Sequence, residues 1–244
     1  MMKPVIIIPC FNHADAFAPV ADKIQKFETP VIVIDDGSNI QQSKKIKAIC
    51  SSHKFSYVKR DKNGGKGAAM LTGFQFAIEK GFTHALQVDA DGQHDIRDIP
   101  LFLKIAKSHP DDLIIGNPIY DESAPKARLI GRKITNFWVM VETFNKRMPD
   151  TMCGFRVYPL GLIAPVLKTI KFKRMGFDIE IIVKAYRSGI DIISLPTKVI
   201  YPKDGVSHFN GFRDNFYISL LHTYLCCLIP LWLIKGGRKH ENNK

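Results

Sequence analysis

Three short runs of apolar residues set the frame of this chain. Val5-Ile6-Ile7-Ile8 closes at Pro9, Val31-Ile32-Val33-Ile34 closes at Asp35-Asp36-Gly37-Ser38, and Ala85-Leu86-Gln87-Val88 runs into Asp89-Ala90-Asp91. Strands that lack polar alternation are buried on both faces, as in a parallel sheet covered by helices. Ser56-Tyr57-Val58 and Leu113-Ile114-Ile115-Gly116 read as two more strands. Residues 14–27, 67–80 and 98–108 read as helices; Gly81 is placed to stop the second, and Ile99, Phe102, Leu103 and Ala106 share a face of the third. Further on, the pattern predicts helices over 128–146 and 178–187, then one or two short strands over 190–201 interrupted by Pro196. The alternation implies a doubly wound α/β fold whose ligands bind beyond the carboxyl ends of the strands.

The polar residues that close those strands carry the candidate chemistry. Asp89-Ala90-Asp91-Gly92-Gln93 presents two carboxylates one residue apart at a buried strand's end, and oxygen donors of this kind suit Mg²⁺ or Mn²⁺ bridging to substrate phosphates. A loop or a helix N-cap uses the same residues, so the motif alone is weak. Asn63-Gly64-Gly65-Lys66-Gly67 precedes a helix, where glycines, a helix N-terminus and a lysine can meet an anion, or simply form a tight turn. It is not a P-loop, since Gly67 stands where Ser or Thr is needed, and it lacks the third glycine of a dinucleotide motif.

Taken together, Ile8-Pro9-Cys10-Phe11-Asn12, Val33-Ile34-Asp35-Asp36-Gly37-Ser38, the Asn63–Gly67 segment and Asp89-Ala90-Asp91 resemble family 2 glycosyltransferases. Their order is most similar to the branch of dolichyl-phosphate mannose synthase and bacterial polyprenyl-phosphate sugar transferases. Asp150-Thr151-Met152-Cys153-Gly154-Phe155-Arg156 and Gly205-Val206-Ser207-His208-Phe209 extend the likeness over about residues 3 to 210. The resemblance implies a GT-A fold, a nucleoside-diphosphate sugar donor and inversion at the anomeric carbon. It places Pro9, Asn12, Asp36 and Lys66 around the donor, and Asp89 and Asp91, with Gln93 assisting, on a metal at the diphosphate. It also places Arg128, Arg132 and Arg156 near an acceptor phosphate; the first two lie four apart and would share a helix face. His13 stands where many relatives have Glu, and Cys153 where many have Ser; these departures bear on base and acceptor recognition and leave the diphosphate site intact.

On that resemblance Asp91, through the metal, would assist departure of the diphosphate; a hydroxyl acceptor would also need a general base, whereas a phosphate acceptor would not. Candidate bases are Asp178, Glu180 and His208. Residues two apart on a helix do not share a face, so Asp178 and Glu180 should not both enter one cleft. Asp178 is equally a helix cap, and His208 equally a surface histidine.

Charge and composition sharpen the choice of partner. The 244 residues carry a formal net charge of +12 with 45% hydrophobic residues. Nucleic acid, an anionic bilayer and a phosphorylated substrate all fit such a balance. The basic residues are dispersed and no nucleic-acid motif occurs, which excludes nucleic acid as the expected partner. Lys44, Lys45 and Lys47 read as a solvated helix face. Five cysteines and eight histidines show no zinc spacing, and the thiols are expected to be free. The N-terminus has no signal-peptide pattern, which points to the cytosol.

From Asn215 to Ile234 no Asp, Glu, Lys or Arg occurs. Such a segment is just long enough to cross a bilayer, yet Pro230 would kink it and basic residues (Arg213, then Lys235, Arg238 and Lys239) flank both ends. An in-plane helix on the cytoplasmic face keeps both flanks beside anionic head groups. The expected layout is a catalytic domain over 1–212, a membrane-associated helix over 213–235 and a basic tail over 236–244. The leading expectation is a metal-dependent inverting transferase acting on a lipid or lipid-phosphate acceptor in envelope glycolipid synthesis. A nucleotidyltransferase making a nucleotide sugar, or a non-catalytic membrane-surface protein of the same fold, are the alternatives.

Overall fold

A computed structural model describes residues 1–121, 124–200 and 211–237. Seven strands form one sheet in the order β3-β2-β1-β4-β6-β5-β7. β1 (Pro4–Cys10), β2 (Val31–Asp35), β3 (Ser56–Lys59) and β4 (His84–Gln87) are parallel to one another. β6 (Arg156–Pro159) runs antiparallel between β4 and β5 (Leu113–Tyr120), and β7 (Ile192–Val199) lies parallel to β5 at the edge. This is a mostly parallel sheet with helices on both faces, the arrangement that a GT-A fold requires.

The apolar runs explain why the centre of the sheet is dry. Successive side chains of a strand point to opposite faces. In β1, Ile6 and Ile8 join a cluster with Phe17 and Ala21 of α1 (Ala14–Ile24) and Phe102 of α4 (Ile99–Ser108). Val5 and Ile7 join the opposite cluster, with Met70 and Phe74 of α3 (Lys66–Glu79), Ile163 of α6 (Leu160–Leu167) and Ile181 of α7 (Phe177–Arg187). α2 (Ile40–Ser52) crosses between β2 and β3 with Lys44, Lys45 and Lys47 exposed, as its charge pattern predicts.

The second half departs from the sequence expectation at several points. β6 and α6 carry no signal that marks them: β6 is a fully buried four-residue strand that begins with Arg156, and α6 contains Pro165. Pro196 does not split the last strand, because β7 is an edge strand and proline is tolerated where one side lacks a ladder partner. β5 runs on to Tyr120 instead of ending at Gly116.

α5 (Lys126–Thr143) and α8 (Gly211–Cys227) pack together against α7. Val139, Ile179, Val183, Ile218, Leu221 and Leu225 form their shared core. Asp214, Ile218, Leu221, His222 and Leu225 recur at helical spacing and bury one face of α8. The helix stops at Leu228, and a short α9 (Ile229–Ile234) with Pro230 in its first turn follows. Arg187 of α7 ties this end down, donating to the carbonyls of Glu142 and Leu225. All five cysteines are unpaired.

Candidate active site

Parallel β1, β2 and β4 end on one edge of the sheet, and the polar residues that follow them converge there. Asp35 and Asp36 divide the work at the end of β2. Asp35 is wholly buried and accepts hydrogen bonds from Ser38 N, Ser43 Oγ and Tyr57 Oη, which build the turn and hold β3 to it. Asp36 turns the other way and accepts from Asn63 Nδ2 (2.9 Å), Gly64 N (3.1 Å) and Gly65 N (2.7 Å), with Arg60 Nε at 3.2 Å. Burial pushes the Asp36 carboxyl up, against the pull of those amides and cations.

The glycine segment is therefore held by a carboxylate of this chain. Gly65, at φ +91°, caps α3 and aims Lys66 back across the edge. The Lys66 ammonium lies 2.8 Å from Asp89 Oδ2 and 2.9 Å from Asp178 Oδ2. Burial works against that charge, but Asp178 and Asp89 outweigh it and raise the lysine above its ordinary value. Burial likewise opposes ionisation of Asp89, yet Lys66 and His94 outweigh it and hold the carboxyl below the usual range. Asp91 behaves oppositely: burial first, then the Asp89 charge, push it up. Its Oδ1 accepts from Gln93 N at 3.1 Å.

A buried polar network backs this cluster. Gln87, the one polar residue in β4 beyond His84, offers Nε2 to Asp89 and Asp178, each at 3.4 Å, and accepts from Tyr158 Oη at 3.0 Å. Arg156 is fully buried and donates to the carbonyls of Thr151, Cys153 and Asp178 and to Tyr158 Oη. Gly154 lies against the Asp89 carboxylate with no room for a Cβ. Gln87, Tyr158, His94 and Arg60 belong to none of the motifs in the sequence, and Gly154 enters only within the Asp150–Arg156 likeness. A glutamine inside an apolar strand and a histidine three residues past the second strand-end aspartate beside it are the available signals.

The structure thus brings together Lys66, Asp89, Asp91 and Asp178, and separates other candidates from them. Glu180 is wholly buried and accepts from Lys171 N, Phe172 N and Lys184 Nζ, so it holds the 171–172 backbone instead of entering the cleft. Arg156 has its donors committed inside the protein, so it cannot act as an open clamp on an acceptor. Arg132 pairs with Asp150 at 2.7 Å and lies over the Tyr120 ring, while Arg128 is half-buried one turn earlier on α5. Asn12 stitches two turns together: its amide donates to Ser38 Oγ and its Oδ1 accepts from Asn39 N. Pro9 sits in β1 opposite Ile34. His208 lies outside the described residues.

Residues 5–161 match the family described as Glycosyl transferase family 2. The chain belongs to that family. It is a glycosyltransferase, which sets aside the nucleotidyltransferase and non-catalytic alternatives. It is 24% identical over 237 residues to the UDP-N-acetylglucosamine–dolichyl-phosphate N-acetylglucosaminyltransferase of Methanococcus voltae, covering 88% of this chain and 94% of that one. It is 24% identical over 229 residues to the undecaprenyl-phosphate mannosyltransferase of Micrococcus luteus, covering 86% and 88%. Its fold matches glucosyl-3-phosphoglycerate synthase of Mycobacterium tuberculosis, in complex with Mn²⁺, uridine diphosphate and glucosyl-3-phosphoglycerate. The TM-score is 0.67 at 14% identity, over 93% of this chain and 80% of that one.

Asp89 and Asp91 suit a divalent cation. Two carboxylates within one turn, one of them raised by burial and then by the charge of the other, would be relieved by a cation, and hard oxygen donors match Mg²⁺ or Mn²⁺. Among the described residues no group of three or more His, Cys, Asp or Glu side chains is arranged to hold a metal. An ion there would take its remaining ligands from water and substrate phosphates, which is the usual habit of Mg²⁺.

Proposed function

We propose that this glycosyltransferase moves a sugar, with inversion, from a nucleoside diphosphate to the phosphate of a polyprenyl-type lipid at the cytoplasmic face of a membrane. The observation that carries the reading is the Asp89–Asp91 turn at the sheet's carboxyl edge, facing the lysine that opens α3. The relatives that act on dolichyl and undecaprenyl phosphate support the acceptor class.

In this reading Asp89 and Asp91, with Gln93 beside them, hold Mg²⁺ or Mn²⁺ at the donor diphosphate. When bound, the ion supplies Lewis-acid stabilisation of charge on the departing nucleoside diphosphate. Lys66 adds a second positive charge to the same oxygens. Asp36 acts at one remove, by fixing the 63–65 turn that positions Lys66 next to the donor. The carboxylate oxygens of Asp178 face Lys66, Gln87 and Arg156, so Asp178 orients the lysine rather than receiving a proton from the acceptor. A phosphate acceptor is already an anion and requires no such base. Arg128 and Arg132, on one face of α5, are the candidates to meet that phosphate.

Membrane contact is supported by apolar faces turned to solvent. On α5, Ile130, Ile134, Phe137 and Trp138 are exposed, and on α8 and α9 so are Phe216, Tyr217, Leu220, Leu231 and Ile234. Phe144 stacks on Trp232, joining the end of α5 to α9. Lys171, Lys173, Arg174 and Arg213 line an open groove beside Tyr217, so basic residues border the apolar face. The segment Arg213–Ile234 is apolar and long enough to span a bilayer. The burial of one face of α8 against α5 and α7 favours an in-plane helix over a crossing one.

The test pairs nucleoside-diphosphate sugars with undecaprenyl or dolichyl phosphate in vesicles and follows label into lipid. Transfer that needs Mn²⁺ or Mg²⁺ and is lost in Asp91→Asn is expected. Full turnover by Asp91→Asn with metal present would refute the assignment.

A further inference from the structure

We propose that Lys66 is the resident cation of the free donor site, holding Asp89 and Asp178 until the donor diphosphate draws its ammonium away, so that a divalent ion binds tightly only together with the nucleotide. The inference rests on the metal and donor roles argued above.

The geometry that carries it is one ammonium shared by two carboxylates from different elements. Lys66 Nζ is 2.8 Å from Asp89, at the end of β4, and 2.9 Å from Asp178, in the first turn of α7. Those are full ion-pair distances, made to one of the two carboxylates proposed to hold the metal. A metal ion entering alone would meet a site whose negative charge is already countered at short range. The formal charges of Asp89, Asp91, Asp178, Lys66 and Arg156 sum to one negative charge, with Lys66 paired to Asp89 and Asp178 and Arg156 to Asp178. A divalent ion by itself would turn that balance positive. A divalent ion arriving with a doubly charged diphosphate would restore it, and the diphosphate would give Lys66 new oxygens to bind.

The surroundings allow the lysine to leave and the carboxylates to stay. The backbone at its root is pinned, since Gly64 N and Gly65 N are held by Asp36 and Ala68 N donates to Lys173 O. Asp89 is backed by Gln87 and by Gly154, and Asp178 by Gln87 and Arg156. A Cβ on Gly154 would come within 2.8 Å of Lys66 Nζ, so the ammonium is closed off on that side. The lysine side chain retains 20% exposure, and its four-carbon stem can swing outward.

Mn²⁺ binding is measured by electron paramagnetic resonance, first with the metal alone and then with UDP or GDP, for the wild type, Lys66→Gln and Lys66→Arg. Lys66→Gln should tighten Mn²⁺ binding in the absence of nucleotide by roughly tenfold or more, because a short-range like charge is removed. The further gain on adding the diphosphate should shrink correspondingly. Lys66→Arg, which keeps the charge, should behave as the wild type. Equal affinity of wild type and Lys66→Gln for Mn²⁺ alone, or an Arg variant that binds like the Gln variant, overturns the proposal. Failure of Mn²⁺ to bind any of them with either nucleotide overturns the metal reading and this proposal with it.

Should Lys66→Gln not fold, the wild type carries the test through the ¹⁵N resonance of the Lys66 ammonium, assigned by its loss in Lys66→Arg. Mg²⁺ alone at moderate concentration should leave it in place, and UDP or GDP with Mg²⁺ should shift it. A resonance that moves with Mg²⁺ alone and not further with nucleotide contradicts the exchange.

Discussion

Gly154 lies so close to Asp89 that a Cβ at residue 154 would overlap the carboxylate. The contact joins the loop before β6 to the turn after β4, two strands that pair antiparallel with Gln87 opposite Arg156. A backbone without a side chain is thus part of the wall of the candidate active site. In Gly154→Ala the new methyl group must displace Asp89, the Lys66 ammonium, or both. We expect the variant to fold, because only this local contact changes. Transfer should fall by more than about tenfold, as misplacements of about an ångström do elsewhere. Wild-type rates in a folded Gly154→Ala would show that the Asp89 position is not needed for the reaction.

Arg156 offers a test of the buried network apart from chemistry. Its guanidinium serves three backbone carbonyls and Tyr158 Oη without any solvent exposure. Lysine would keep the charge but lose the planar fork, stranding carbonyls that water cannot reach. Arg156→Lys should lower unfolding free energy by about 2–4 kcal/mol on the cost of buried unmade hydrogen bonds. Urea melts measure it, and a change under about 0.5 kcal/mol would place the variant with neutral surface substitutions, against this account.

These contacts also show where the sequence was legible. β1, β2 and β4 stood out because a strand buried on both faces must be apolar throughout, and the acidic turns follow the carboxyl ends of β2 and β4. The helical period alone separated Asp178 from Glu180, and the structure keeps them on different tasks. What could not be read was pairing across long separations. Asp36 meets Gly64 and Gly65 from 28 and 29 residues away, and Tyr158 reaches Gln87 across 71. The resemblance puts Arg156 near an acceptor phosphate, and only the course of β6 between β4 and β5 shows its guanidinium enclosed. β6 itself has only four residues, too few for a periodic pattern.

The two faces of α8 should respond oppositely to substitution. Leu221 is fully buried in the cluster shared with α5 and α7. Leu221→Ala should cost about 2–5 kcal/mol of stability, as core truncations do. Phe137→Ser on α5 and Phe216→Ser on α8 remove side chains that are 53% and 57% exposed. Their effect on stability should stay within about 0.5 kcal/mol, while sedimentation with anionic vesicles should weaken. Unchanged vesicle binding in the double variant would remove the in-plane membrane reading.

Glu142 and His222 supply a pH dependence whose sign is set by burial. Glu142 is wholly buried on α5, with one carboxylate oxygen 2.7 Å from His222 Nδ1 on α8 and the other without a hydrogen-bond partner. Burial raises the Glu142 carboxyl, and His222 and Arg187 only partly offset the rise. The folded protein therefore holds this proton to higher pH than the unfolded chain. The corresponding stability is complete below the unfolded value of about 4.3 and is lost as pH climbs through the raised folded value. Glu142→Gln keeps the shape and removes the ionisation, so its stability should not fall across that interval. Denaturant melts from about pH 4 to about pH 7, bracketing that interval, should show the difference between the wild type and the variant growing in the variant's favour as pH rises. A difference that stays flat, or grows towards acid, would mean that the carboxylate is stabilised where it lies and that the His222 contact outweighs burial.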